Sequence, residues 1–256
     1  MHALQESRPC RLRDEFKVVI DCEGLITDTE LEKRLAFVAV SKEFFNLDSP
    51  VHAFAWTLGL KRSVIIDRLT KEYGNQPLHP SIVRDTNISL GEQILKRRDE
   101  LLSPGPTKAM DGAIELLKTL KDNRIPTAIG SSTYEKIGRE MLEAAQVPNE
   151  FFDVMVWGDH SWVKQQNDPT KRSIFQRAAK DLISPHKVTA DRAGCILVIG
   201  DARADTWGAK ENGFASLLVP DRRIWGDTLD QDAIAEATFV ANDLFGAKRV
   251  IEALIA

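Results

Sequence analysis

The sequence predicts an α/β protein: a parallel sheet with helices on both faces, plus an all-helical insertion after the first strand. Three observations predict it. Short apolar runs at 16–20, 125–130, 154–157 and 195–199 each stop at a turn-forming or polar residue (Asp21, Ser131, Gly158, Gly200). Helical periodicity fills most intervals between them, and strands without a polar face alternating with helices are the mark of a parallel sheet. The interval 28–103 differs, having helical periodicity and almost no strand signal.

Taken in order, residues 1–15 mix Arg8, Arg11 and Arg13 with Glu6, Asp14 and Glu15 and contain no apolar stretch. They read as a frayed tail rather than a signal peptide. The β-branched run 16–20 is the first strand, and it delivers Asp21-Cys22-Glu23-Gly24 to a loop. Helical patterns follow at 31–45, 51–58, 64–73 and 82–102, and Pro104-Gly105-Pro106 is the return linker. The helix at 108–122 carries Ala109, Ala113, Leu116, Leu117 and Leu120 on one face. Further helices are predicted at 134–146, 171–183, 204–212 and 243–255, with weaker strands at 215–219 and 239–240. The domain layout is thus a core from 16–27 and 104–256 and a helical cap from 28–103. A segment that leaves and re-enters beside the first strand end is well placed to act as a lid.

Composition narrows the function classes. The chain has 256 residues and a net charge of -4, against a nucleic-acid or anionic-membrane surface, which needs a basic face. Lys96-Arg97-Arg98 is followed at once by Asp99-Glu100 and reads as a solvated helix face. No apolar stretch approaches the ~18 residues of a membrane span. Three widely spaced cysteines, Cys10, Cys22 and Cys195, match neither a disulfide framework nor a zinc site, so a reducing, cytoplasmic setting is expected. Cys22, between two acids, is expected to point into the core.

The strand ends carry the chemistry. In an extended segment Asp21 and Glu23 share a side, about 7 Å apart at ~3.3 Å per residue. The second strand ends at Ser131 and Ser132, the third is followed by a loop with Lys164, and the fourth ends at Asp201 with Asp205 beyond. Neighbouring parallel strands would gather these at one sheet edge. Phosphoryl transfer needs such a set. A carboxylate can attack phosphorus, Mg²⁺ shared by Asp21 and Asp201 neutralises charge, and serine and lysine hold the phosphate oxygens.

The motifs resemble those of the haloacid dehalogenase superfamily, in the phosphoglycolate phosphatase and β-phosphoglucomutase group with a helical cap inserted after the first motif. VVIDCEGLITDTE is similar to that group's DxDGLLxDTE motif, TAIGSST to the second, and IGDARADTWGAKENGF to the fourth; the likeness spans roughly 16–250. It implies a Rossmann-like core and Mg²⁺ as cofactor. It also implies Asp21 as nucleophile and metal ligand, the Glu23 backbone carbonyl and Asp201 as further ligands, and Asp205 in support. Gly24 would be needed where the chain turns towards the cap. Ser131 and a lysine would bind phosphate, with Ser132 beside them.

Two positions depart from the pattern. Glu23 stands where the family has an aspartate acid/base, its carboxyl one methylene further out; keeping a carboxylate there favours phosphate-ester chemistry over dehalogenation. The third motif is about five residues longer: counting forward selects Lys164, counting back from Phe175 selects Lys171. Asp168-Pro169 suits an N-cap and first turn, which puts Lys171 inside a helix and favours Lys164. Ser132 or Thr133 suits the N-cap of the helix near Tyr134. Lys61 and Arg62, after Gly59, lie where capped relatives place a substrate-contacting loop, or else begin a solvated helix. The function expected is a Mg²⁺-dependent phosphatase acting on a small phosphorylated metabolite, a sugar or nucleotide monophosphate, through an aspartyl-phosphate. A mutase and an impaired ligand- or protein-binding domain are the alternatives, and the chain is expected as a monomer or dimer.

Overall fold

The structure, a computed structural model, describes residues 16–60, 62–102, 107–159, 171–183, 195–226 and 229–256. Six strands form one sheet: β1 (Lys17–Ile20), β2 (Thr127–Gly130), β3 (Val154–Val156), β4 (Ile196–Gly200), β5 (Ala215–Leu218) and β6 (Phe239–Val240). Their order is β3-β2-β1-β4-β5-β6, with every neighbouring pair parallel. The chain steps outward from β1 to β3, then crosses back to β4 on the other side of β1. The order therefore reverses at β1, and the crevice at the carboxyl ends of β1, β2 and β4 is where such sheets bind ligands.

Alternation along each strand builds two layers. Val18, Ile20, Ile129, Leu197 and Ile199 face α4 (Ala113–Asp122) and α10 (Leu244–Ile255) through Leu116, Leu120, Ala247 and Ile251. Val19, Ala128, Ile196 and Val198 face α6 (Arg172–Leu182) and α7 (Arg203–Glu211) through Ile174, Phe175, Ala178 and Ala209. α5 (Glu135–Ala144) adds Leu142 to the first layer, and short helices α8 (Arg222–Trp225) and α9 (Gln231–Glu236) follow β5. The last two carry too little apolar periodicity to be read from sequence.

The segment between β1 and α4 contains α1 (Glu30–Phe45), a 3₁₀ helix (Val51–Thr57), α2 (Arg62–Tyr73) and α3 (Leu90–Leu101). These pack around their own cluster of Phe37, Val40, Phe54, Leu69, Leu90 and Leu95. A second cluster joins them to the sheet layer, where Ala55 and Leu58 meet Ala202 and Ile224.

Two helix starts and one helix type are not given by the periodicity. The predicted 82–102 helix begins at Leu90, because the Ser89 hydroxyl accepts the Glu92 N–H and caps it there. Before that cap, Asp85 and Ile88 give their carbonyls to the Gln93 side chain. The predicted 108–122 helix begins at Ala113: residues just before it run beside the first loop, with Asp28 N–H donating to Lys108 O and Met110 N–H to Ile26 O. The 51–58 helix is 3₁₀ rather than α. Cysteine spacing also misled. Cys195 is disulfide-bonded, since spacing along a chain does not report which thiols a fold brings together, whereas Cys22 is a buried free thiol as expected. Among the described residues no helix is long and apolar enough to cross a membrane.

Candidate active site

The site begins where β1 stops pairing. Asp21 N–H still donates to Ile199 O at 2.9 Å, and then the chain curls: Ile26 and Thr27 N–H both bond Cys22 O, and Gly24 N–H bonds Thr27 O. The segment is therefore a tight loop rather than extended, and Asp21 and Glu23 go different ways. Gly24 makes the curl with φ +77, and a Cβ there would collide with Asp201 Oδ2 and the Glu30 side chain. Glycine is required at 24 both for the left-handed backbone and for the approach of Asp201.

Asp21 is 3% exposed and sits in a cluster with Asp201 and Asp205, one carboxylate oxygen from each lying within 4.8 Å of the others. Its Oδ1 accepts the Cys22 N–H at 2.8 Å, and its Oδ2 accepts from Lys171 Nζ. Lys171, 2% exposed at the N-cap of α6, also pairs with Asp205 Oδ1 at 2.8 Å. Asp205 Oδ2 meanwhile accepts the Ala202 N–H, so Asp205 both fastens the start of α7 and holds the lysine. Asp201 Oδ2 is buried without a hydrogen-bond partner.

The electrostatics follow from three buried carboxylates around one ammonium among the described residues. Burial pushes the Asp21 carboxyl up to about 7; Lys171 opposes the rise and Asp205 adds to it. Burial, then repulsion from Asp205 and Asp21, also raises Asp201 well above the ordinary carboxylate range. Burial disfavours charge on Lys171, but Asp205 and Asp21 outweigh it, so the amine is held protonated above its usual range. Among the described residues, carboxylates that outnumber the ammonium and an orphaned buried oxygen suit a hard divalent cation, which takes oxygen ligands and relieves both. The residues present therefore fit Mg²⁺.

Glu23 faces the inserted helices. Its carboxylate accepts from Lys33 Nζ on α1 and, at 2.5 Å, from the Thr133 hydroxyl beyond β2. Lys33 bonds Glu30 at 2.7 Å, and Glu30 pairs in turn with Arg34. Burial alone would raise the Glu30 carboxyl, but Arg34 and Lys33 draw it down to about 2. Lys33 and Arg34 escaped the sequence reading, as did the part played here by Glu30, met only as the end of the first motif, and by Thr133, expected only as a cap. One signal was present: the buried face of α1 reads Glu30, Arg34, Phe37, Ser41, Phe44, and two charges opening a buried stripe call for partners.

Ser131 follows β2, on the strand next to the one that ends at Asp21, and is 1% exposed, its hydroxyl accepting the Thr133 N–H at 3.3 Å. The Ser132 backbone packs on Gly158. Neither Ser132 nor Thr133 caps α5. Its N-cap is Tyr134, and Asp159, beyond β3, accepts the Glu135 N–H at 2.9 Å. Lys164 and Lys61 lie outside the described residues. Arg62 pairs with Asp99 at 2.7 Å on an exposed surface of the inserted helices, rather than with any residue at the strand ends. Gly59 does reach the site, where a Cβ would lie 3.5 Å from Lys171 Cε and 2.9 Å from Ala204 Cβ.

A family model described as a hydrolase, haloacid dehalogenase-like, matches residues 18–213. Solved structures share the fold at low identity. A hydrolase from Pseudomonas syringae is 18% identical with a TM-score of 0.67, over 93% of this chain and 98% of that one. A β-phosphoglucomutase from Clostridium difficile is 19% identical with a TM-score of 0.64, over 93% and 96%. A hydrolase of the same superfamily from Deinococcus radiodurans, solved with bound phosphate and sodium, is 18% identical with a TM-score of 0.66, over 94% and 96%. No curated protein matches the chain.

Proposed function

The chain belongs to the haloacid dehalogenase-like hydrolases, and we propose that it is a Mg²⁺-dependent phosphatase of small phosphorylated metabolites, of the sugar or nucleotide monophosphate class. One observation carries the reading: Asp21, buried at the carboxyl end of the central strand, faces Lys171, Asp201 and Asp205, and Asp201 has an unpartnered oxygen. Asp21, Asp201 and the Glu23 backbone carbonyl would hold Mg²⁺, which when bound would neutralise phosphate charge beside the nucleophile. Asp205 supports Lys171 and the start of α7.

The chain's own residues divide the work. An Asp21 oxygen attacks phosphorus in line with the leaving oxygen. The P–O bond to the leaving group breaks as the Glu23 carboxyl delivers its proton there, leaving an acyl-phosphate on Asp21. Glu23 then takes a proton from water, whose oxygen attacks the same phosphorus and releases Asp21 and inorganic phosphate. Ser131 and Lys171 bind the non-bridging oxygens, and Lys171 offsets repulsion between the anionic ester and Asp21. Leu58 and Gly59, packed on Ala202, Ala204 and Lys171, close the site from the side of the inserted helices.

A screen of phosphate monoesters with Mg²⁺ tests this. Turnover abolished in Asp21→Asn and lowered at least about 10²-fold in Glu23→Gln is the expected result. No hydrolysis of any ester would overturn it in favour of a ligand-binding role, and an active Asp21→Asn would overturn Asp21 as the nucleophile.

A further inference from the structure

Glu23 is the position at which this chain departs most visibly from its family's first motif, and its carboxylate is held from two sides. Thr133 reaches it from the loop after β2, at 2.5 Å, and Lys33 reaches it from α1. Lys33 is itself anchored, with Glu30 at 2.7 Å and Glu30 paired to the buried Arg34 one turn along the same helix. The three charged partners therefore all belong to the first inserted helix, while Glu23 and Thr133 belong to the sheet layer.

We propose that Lys33 is a positioning residue for Glu23, working with Thr133. Together they clamp the longer glutamate so that its carboxylate stands where an acid/base must act, and they make that position depend on how α1 sits on the sheet. This rests on the reading of Asp21 as nucleophile and Glu23 as acid/base. An unclamped glutamate has an extra side-chain torsion to order, and a displacement of about 1 Å at a catalytic group costs on the order of 10²-fold in rate. A clamp from both layers removes that freedom without touching phosphate.

The test is a mutant cycle on p-nitrophenyl phosphate with Mg²⁺, a substrate whose good leaving group needs little help from an acid. Lys33→Met should keep a stoichiometric burst of p-nitrophenol and a KM within about threefold, while kcat falls about 10- to 100-fold. Lys33→Arg should recover most of the loss. Glu23→Gln/Lys33→Met should be no slower than Glu23→Gln alone, because a residue acting through Glu23 has nothing left to position. Multiplying losses, or an effect on KM alone, would overturn the proposal and make Lys33 a structural or substrate-binding residue. Thr133→Val reads the same cycle from the other side if Lys33→Met does not fold. A second readout is independent of turnover. In metal-free protein labelled with ¹³C at glutamate carboxyls, the resonance missing in Glu23→Gln should move in Lys33→Met. An unmoved resonance rejects the contact. A wild type that hydrolyses no ester rejects the phosphatase reading instead and leaves this resonance to decide the clamp.

Discussion

Replacing Asp21, the proposed nucleophile, should make the metal-free protein more stable, and the gain should depend on pH. Asp21→Asn keeps the side chain's shape and its acceptor for the Cys22 N–H, and leaves Lys171 paired with Asp205. What it removes is a carboxylate whose pKa is raised from 3.8 to about 7, first by burial and then by Asp205. The sign follows from linkage. A carboxyl raised in the folded state binds its proton more tightly there, so its favourable contribution is complete below the unfolded pKa and lost as pH rises towards 7. Relative to a permanently neutral side chain, the Asp21 carboxyl costs about 4 kcal/mol at pH 8, where it ionises in both states, and about 2 kcal/mol at pH 5, where it ionises only in the unfolded chain. At about 2–4 °C per kcal/mol for a chain of this size, Asp21→Asn should melt roughly 8–16 °C above wild type at pH 8, and only a few degrees above it at pH 5. Thermal melts in chelator across this range are the assay. An Asn variant no more stable than wild type at pH 8, or a gain that ignores pH, would refute the view that the carboxylates are held together against their own repulsion.

The same cluster makes further predictions. Lys171→Met should shift stability the other way, lowering it by about 3–5 kcal/mol in urea unfolding at pH 8 without metal, because it strips from three buried carboxylates an ammonium that pairs with two of them. Mg²⁺ should raise the melting temperature of wild type, by about 2.7 kcal/mol of stability at 100 times its dissociation constant, and should do so far less for Asp201→Asn. Gly24→Ala should cost at least ~1–2 kcal/mol for its left-handed backbone, and should blunt the Mg²⁺ response as well by displacing Asp201. Glu23→Asp should lower kcat at constant fold, measured beside Glu23→Gln, since its shorter side chain withdraws from Lys33 and Thr133.

How much of this could be read beforehand depended on whether the signal was local. Strand ends are local: an apolar run that stops at an acid or serine marks itself, so Asp21, Ser131 and Asp201 could be assigned to one sheet edge before any coordinates. The lysine beside Asp21 could not. The lengthened loop after β3 leaves two lysines at defensible spacings. Counting residues cannot tell a side chain inside the helix from one at its N-cap, where Lys171 turns under the sheet edge to meet Asp21 and Asp205.

Helix starts within the inserted segment failed for a related reason. Periodicity reports which face is buried but not where hydrogen bonding begins, which Ser89 decides through one cap. Glu23 is the extreme case. Its partners stand 10 and 110 residues away, so from sequence alone its extra methylene looked like a misfit. In three dimensions that methylene supplies reach. An aspartate at 23 on the same backbone would end about 1.5 Å short, one C–C bond, of a lysine on one layer and a threonine on the other. The substitution and its two partners are best understood as a single feature, in which the proposed acid/base is lengthened to be held across the joint between the inserted helices and the sheet.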